Sequence, residues 1–175
     1  GLDSARVSVT TELVNTTDRP VNGIVRGAIE DVQFAKRVSL QPREKSLLRF
    51  TPDDVKSLTF QKPRLWWPYR MGEPNLYTLA LDVEVDGAVS DRQDVRFGIQ
   101  QMTDELTPQG HRLYQVNGKP FLVRGGGWAS DMMLRPASTE RLEAELRYVR
   151  EMGLNTIRLE GKLETDEFYD LADRY

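Results

Sequence analysis

The sequence contains no cysteine and only one histidine, and these absences exclude several kinds of site. Without cysteine there is no disulfide, no thiol nucleophile and no zinc–thiolate centre. His111 would need a nucleophilic serine to form a Ser-His-Asp triad, and the chain has no G-x-S-x-G elbow. The stretch "PQGHRLY" is typical of a turn that enters a strand, so we interpret His111 as a surface residue. The sequence therefore predicts neither a metal site nor a cofactor.

Long apolar runs and blocks of like charge are also missing. No stretch approaches the roughly 18 apolar residues that a membrane helix needs, so the sequence predicts no membrane partner. The net charge is −3, and because phosphate binding requires a basic face, nucleic acid is not an expected partner. Hydrophobic residues make up 39% of the chain and charged residues 29%, which indicates a folded globular protein.

Residues 1–104 show an alternation of apolar and polar residues with period two. Segments such as "VNGIVRGAIE" and "LYTLALDVEVDG" carry this pattern, and turn sequences such as "NTTDRPVNG" and "QPREK" separate them. About seven short strands without a helical stretch predict an antiparallel β-sandwich of immunoglobulin-like type. Its core must consist of Val, Leu, Phe and Trp, and we expect one of the adjacent Trp66 and Trp67 to fill it, since neighbours in a strand face opposite ways.

Residues 105–175 show a different pattern, in which strands and helices alternate. Asn117-Gly118 predicts a hairpin turn within "HRLYQVNGKPFLVRGG". A helix follows, with Ser138 or Thr139 as its cap and Gly153 at its end. A strand over residues 154–160 and a second helix capped by Thr165 complete the pattern. The apolar stripe of the first helix consists of Leu142, Leu146 and Val149.

The order strand, helix, strand, helix is typical of parallel α/β architecture. A complete (β/α)8 barrel needs about 250 residues, and this part has about 70. The fold is therefore predicted to be mainly β: the sandwich, followed by the truncated first βαβα units of a TIM barrel. Some apolar side chains that a complete barrel would bury should then be partly exposed, namely Ile157, Leu159, Leu142 and Leu146. With open strand edges, this tail is expected to pack on the sandwich, to self-associate with another copy, or to be loosely ordered.

The strand in "NTIRLEG" combines an apolar face with a charged one. Ile157 and Leu159 suit the side that faces the helices, so Arg158 and Glu160 should point into the barrel. A buried guanidinium or carboxylate costs several kcal/mol unless it is paired or serves a site. Both residues end their strand, where barrel enzymes carry their functional side chains. The alternative is a structural ion pair at the barrel mouth.

A glycine run followed by a tryptophan ends the preceding strand, predicted over "PFLVRGG". Three glycines in "GGGWASD" would let the backbone turn and leave room beside a ligand. The flat apolar ring of Trp128 matches the C–H face of a pyranose, and Asp131 could bind hydroxyls or a cationic group. The alternative is a flexible loop whose tryptophan plugs the barrel or an interface.

Several motifs in order resemble glycoside hydrolase family 2. "RLWWPYRMGEPNLYTLALDV" resembles the end of that family's immunoglobulin-like domain. "VRFGIQ" with "QVNGKPFLVRGGGW" resembles its passage into the catalytic barrel, and "MGLNTIRLEGKLETDEFYDLADRY" resembles its second barrel strand and helix. "RGGGW..D" and "RLEG" are most similar to the exo-β-D-glucosaminidase branch. The β-mannosidase branch usually has R-V-W-G at the latter position, and the β-galactosidase and β-glucuronidase branches place histidines in these loops.

The resemblance implies a retaining exo-acting hydrolase of β-glycosidic bonds, with chitosan-type oligosaccharides as substrates. Its acid/base and nucleophile would lie beyond Tyr175, so no catalytic residue is expected here and this fragment alone should be inactive. The substrate-binding residues carried over by position are Trp128, Asp131, Arg158 and Glu160. Glu160 would bind the amine of a cationic amino sugar. A β-mannosidase, or a non-catalytic immunoglobulin-like carbohydrate-binding module, is the alternative. The family suggests an extracellular or periplasmic location, although "GLDSARVSV" has no signal-peptide pattern.

Overall fold

The computed structural model describes residues 2–130 and 137–175 and shows a mainly β chain. Two compact units divide it, the first within Gly1–Pro63 and Tyr77–Phe97, the second within Arg64–Leu76 and Gly98–Tyr175. The division into domains 1–104 and 105–175 stays a prediction. In chain order the elements are β1 (Ser4–Arg6), β2 (Val9–Val14), β3 (Val21–Ile29), β4 (Val32–Leu40), β5 (Lys45–Phe50), β6 (Thr59–Gln61), β7 (Leu76–Val85), β8 (Ala88–Gly98), β9 (Met102–Leu106), β10 (Arg112–Val116), β11 (Lys119–Phe121), β12 (Gly125–Trp128), α1 (Thr139–Glu151), β13 (Thr156–Leu159) and α2 (Asp166–Ala172).

The first unit contains two sheets with apolar faces packed together. The larger sheet has the strand order β4-β3-β7-β8, and the smaller sheet pairs β2 with β5. Val25 and Ile29 of β3 are fully buried, and the ring centroids of Phe34 in β4 and Phe50 in β5 lie 4.7 Å apart. Buried and exposed side chains alternate along these strands as the period-two pattern requires. The predicted β-sandwich is confirmed.

Two features of the first unit differ from the prediction of seven strands without a helix. The three-residue strands β1 and β6 form an additional antiparallel pair, and Lys56–Leu58 form a short 3₁₀ helix. A stretch of three residues is too short to show a period, so the sequence pattern could not reveal either element. Leu58 is fully buried, and this burial supplies a tertiary reason for the helical turn.

The predicted hairpin is confirmed in the second unit. Asn117 and Gly118 connect β10 to β11 with φ angles of 50° and 73°, as a type I′ turn requires. The Asn117 side chain is buried; its oxygen accepts from the backbone N–H of Gln101 at 2.8 Å. Its amide nitrogen donates to the carbonyl oxygen of Trp66 at 2.9 Å. The hairpin is therefore joined to residues 64–76, which lie far from it in sequence.

Trp66 and Trp67 also belong to the second unit. The indole N–H of Trp66 donates to the carbonyl oxygen of Asp173 at 2.7 Å. The ammonium of Lys119 lies 4.7 Å from the Trp67 ring centroid, within cation–π range. The prediction that one of these tryptophans fills the sandwich core was wrong. The segment leaves the alternating strand pattern here because its aromatic side chains have their partners in the second unit.

The two helices begin and end as their capping residues predict. The hydroxyl of Ser138, not that of Thr139, accepts from the backbone N–H of Arg141 at 3.4 Å and caps α1. Gly153 has a φ of 75° just past the end of α1, and Thr165 caps α2. A cluster of buried apolar residues joins the helices, and it consists of Leu142, Leu146, Phe168 and Leu171. Leu142 and Leu146 were predicted to be partly exposed, and they are instead buried because α2 packs on them.

The cap of α1 makes a pH-dependent contribution that can be measured. Ser138→Ala should lower the free energy of unfolding by about 1 kcal/mol, because the helix loses its N-cap acceptor. Hydrogen bonds from its own backbone N–H and from Ser138 hold the pKa of Glu140 below its usual value. A depressed carboxyl pKa contributes stability above the unfolded-state pKa and loses it as pH falls through the folded-state pKa.

Urea unfolding of the wild type and of Ser138→Ala between pH 7 and pH 3 tests this expectation. The difference between the two proteins should shrink toward the acid end, and Glu140→Gln should remove the pH-dependent part. A difference that stays constant over this range would contradict the link between Ser138 and the Glu140 carboxylate.

Candidate functional site

The candidate site lies on the parallel pair formed by β12 and β13, which α1 connects along the chain. Paired residues in a parallel ladder place their side chains on the same face, and the faces alternate along each strand. One face therefore carries Trp128 and Leu159, and the other carries Gly127 and Arg158. The register pairs Gly125 with Thr156, Gly126 with Ile157, Gly127 with Arg158 and Trp128 with Leu159.

The position of β12 differs from the strand predicted over "PFLVRGG". The glycines are extended strand residues with no positive φ, so they do not form the expected turn. Asn155 sets the start of this pairing. Its side chain accepts from the backbone N–H of Arg124 at 2.9 Å and donates to the carbonyl oxygen of Leu122 at 3.0 Å. Residues 122–124 are held by these bonds, and the parallel ladder begins directly after them.

The apolar face of β13 lies toward the helices, as the sequence predicts, and the orientation of its charged face into a barrel stays a prediction. Ile157 and Leu159 pack against the cluster between α1 and α2. Arg158 lies on the opposite face and is exposed, with 77% of its side-chain surface accessible, against 50% for Glu160. The predicted separation of an apolar face and a charged face is confirmed. Both charged side chains are therefore accessible to a ligand at the carboxyl end of the strand.

Arg158 and Glu160 form an ion pair on this accessible face. A guanidinium nitrogen of Arg158 donates to Oε1 of Glu160. The backbone N–H of Glu160 donates to the carbonyl oxygen of Trp128 at 3.0 Å, which extends the contact between the strands. An exposed pair of this kind adds at most about 1 kcal/mol to stability. Its main effect is to orient the carboxylate, whose second oxygen has no described hydrogen-bond donor in residues 2–130 and 137–175.

Trp128 is held on the other face, away from the ion pair. Its indole N–H donates to Oε1 of Glu164 at 3.1 Å, and its ring centroid lies 5.3 Å from that of Phe168. It packs against the same apolar cluster as Leu159. The structure thus brings Arg158 and Glu160 together and does not bring Trp128 to them. No sequence pattern indicates Glu164 as its partner, because that contact depends on the turn between β13 and α2.

Asp131, the fourth predicted contact, lies outside the described residues. Among the described ones, no group of three or more His, Asp or Glu side chains could hold a metal ion. Neither α1 nor α2 is long and apolar enough to cross a membrane.

A cleft of about 600 Å³ opens beside α1 and does not include the ion pair. It is lined by Gly126 and Trp128 of β12, by Tyr148 and Met152 of α1, and by Leu163. Tyr148, Met152 and Leu163 are exposed apolar residues, with 61%, 66% and 77% of their surface accessible. Charged side chains, among them Arg141, Glu145 and Lys162, also line this cleft, so it offers both apolar and polar contacts.

Comparisons with known proteins show which proteins this chain is similar to. The chain is 42% identical over 174 residues to an exo-β-D-glucosaminidase from Streptomyces avermitilis, covering 99% of this chain and 19% of that enzyme. A structure of the Amycolatopsis orientalis exo-chitosanase in complex with PNP-β-D-glucosamine matches with a TM-score of 0.88 and 36% identity, over 98% of this chain and 20% of that one. A mannosylglycoprotein endo-β-mannosidase from Lilium longiflorum is 34% identical over 151 residues, which cover 82% of this chain and 15% of that enzyme.

The chain spans about a fifth of the length of the relatives that it matches over its whole extent. The family model described as "Glycosyl hydrolases family 2" matches residues 2–100, which is more than half of the chain. By this match, the chain belongs to family 2 of the glycosyl hydrolases.

Proposed function

We propose that this chain is part of a retaining exo-acting glycoside hydrolase that cleaves β-D-glucosaminides, such as chitosan-type oligosaccharides. The relatives at 42% and 37% identity over nearly the whole chain carry the name exo-β-D-glucosaminidase, which supports this substrate class. Chemistry by two carboxyl groups about 5 Å apart is general for retaining glycosidases. We place this pair, like the remaining strands of a (β/α)8 barrel begun by β12 and β13, in parts of the whole protein outside these 175 residues.

The observation that carries the proposal is the accessible carboxylate of Glu160 at the carboxyl end of β13. One of its oxygens accepts from Arg158, and the side chain is half exposed. An amino sugar is largely cationic at neutral pH, and its ammonium would form a charge-assisted hydrogen bond with this carboxylate. Arg158 would hold the carboxylate in orientation. A hydroxyl at the same position of a neutral sugar would form a weaker bond.

Trp128 and Asp131 remain in the proposal as predicted sugar contacts. Trp128 packs with Phe168 and donates to Glu164, so any contact with sugar would use the part of its ring that the cluster leaves uncovered. Self-association also stays a prediction.

A β-mannosidase is the second candidate, and the 34% identity to the Lilium longiflorum enzyme favours it. Glu160 argues against it, because a mannoside carries a hydroxyl where a glucosaminide carries an ammonium. The two candidates therefore differ in whether the negative charge of Glu160 stabilises the bound sugar.

Rates of hydrolysis by the whole protein on a panel of aryl β-glycosides decide between them. We expect kcat/KM for the β-D-glucosaminide to exceed that for the β-D-mannoside and the β-D-galactoside by at least about tenfold, which corresponds to roughly 1.4 kcal/mol. A preference for the mannoside would refute the glucosaminidase assignment. The chain of residues 1–175 alone serves as the control and should show no hydrolysis.

A further inference from the structure

The three glycines of β12 have three different surroundings. A Cβ atom added to Gly125 would collide with the carbonyl oxygen of Thr156 on the neighbouring strand. A Cβ atom added to Gly126 would have no described atom within 4 Å apart from its chain neighbours. A Cβ atom added to Gly127 would collide with the carboxylate of Glu160. Only the last of these collisions involves a side chain of the candidate site.

The strand register explains why Gly127 meets this carboxylate. Gly127 is paired with Arg158, so both lie on the charged face of the ladder. Glu160 follows two residues after Arg158 on the same face, and its side chain extends across β12. The bond from Arg158 to Oε1 holds the carboxylate there. The carboxylate therefore occupies the volume in which any other residue at position 127 would place its side chain.

We infer that Gly127 is a positioning residue that determines specificity for amino sugars. Because glycine has no side chain, the Glu160 carboxylate has space beside position 127. Arg158 holds the carboxylate there, toward the substrate. The inference rests on the proposed function, in which this carboxylate receives the sugar amine. It assigns the glycine run a role other than a flexible turn: Gly125 permits close strand pairing, and Gly127 permits the position of Glu160.

A methyl group at position 127 should act on amine recognition more than on catalysis in general. A Cβ that close forces the Glu160 carboxylate, which is the far end of a flexible side chain, to shift from its position. Hydrogen bonds weaken steeply once their geometry is lost. The bond to a cationic amine then loses its charge-assisted part, whereas a neutral sugar has less to lose.

The test uses Gly127→Ala and Gly126→Ala in the whole protein, with aryl β-D-glucosaminide and aryl β-D-mannoside as substrates. Gly127→Ala should raise KM for the glucosaminide by roughly tenfold or more and change KM for the mannoside by less than about threefold, with kcat for the mannoside unchanged. Gly126→Ala is the matched control and should leave both values within about twofold. Equal effects of Gly127→Ala on both sugars, or equal effects of the two alanine variants, would overturn the inference.

A double-mutant cycle separates this inference from the proposed function. In a Glu160→Gln background, Gly127→Ala should change the ratio of the two KM values by less than about twofold, because the charged contact is already gone. If Glu160→Gln alone leaves this ratio unchanged, the proposed amine contact is refuted, and the inference with it. If Glu160→Gln changes the ratio and Gly127→Ala does not, only the inference is refuted.

A folding defect in Gly127→Ala would also be informative. If the collision with Glu160 causes the defect, the double variant Gly127→Ala/Glu160→Ala should recover soluble protein with the thermal midpoint of Glu160→Ala. A double variant that remains insoluble would overturn the inference, because the obstruction would then lie elsewhere.

Discussion

In the whole protein, Glu160→Gln is expected to raise KM for an aryl β-D-glucosaminide by roughly tenfold to a hundredfold. Hydrogen bonds to charged groups contribute about 1.5–3 kcal/mol, and each 1.4 kcal/mol corresponds to a factor of ten. KM for a neutral aryl glycoside should change by less than about threefold. The amide keeps the shape of the carboxylate, so the difference between the substrates reports its charge. Initial rates over a range of both substrates provide the measurement.

Glu151→Gln is a suitable control for this experiment. Glu151 is the last residue of α1 and is exposed, so the same chemical change there should leave both KM values unaltered. Parallel increases of KM for the two substrates in Glu160→Gln would show that the carboxylate does not recognise the amine. It would then act as a structural partner of Arg158.

Leu171→Ala is expected to destabilise the second unit by about 2–5 kcal/mol. Leu171 is fully buried in the cluster with Leu142, Leu146 and Phe168, and truncation of a buried leucine leaves a cavity. The effect on α2 should be large, because a helix of seven residues depends on packing rather than on its own propensity. Hydrogen exchange of the backbone amides of α2 measures this loss directly, even if the two units unfold at different denaturant concentrations.

Leu163→Ala provides the comparison. Leu163 has 77% of its surface exposed, so the same truncation should cost less than about 0.5 kcal/mol. Similar exchange rates in both variants would contradict the view that the buried cluster holds α2 in place.

Local sequence signals predict a large part of this fold. The alternation in β3 and β7 predicts the sandwich, because one face of each strand must be buried. Asn117-Gly118 predicts the hairpin, because few residue pairs adopt two positive φ values in succession. Ser138 and Thr165 predict the helix starts, because their hydroxyls satisfy backbone N–H groups that the helix leaves free. Each of these signals acts within a few residues of the feature that it predicts.

Features that depend on distant residues were predicted poorly. The glycine run of β12 suggests a turn, and it is extended only because Thr156 lies against Gly125 on a strand that is about 30 residues away in sequence. The side of the sheet occupied by Trp128 depends on the register with Leu159, and no local pattern determines that register. By contrast, the ion pair of Arg158 and Glu160 could be anticipated, since alternation along one strand places them on one face.

The hydrogen bond between Trp66 and Asp173 joins positions 107 residues apart and has a consequence for how the polypeptide is made. The chain enters the second unit at Arg64, returns to the first at Tyr77 and leaves it again at Gly98. No single cleavage point separates the units, and a recombinant piece that starts at residue 98 would be missing its tryptophan segment. During translation, the bond from the Trp66 indole can form only after Asp173 has emerged from the ribosome. The sheets of the first unit can therefore form before residues 64–76 have made all their contacts in the second unit.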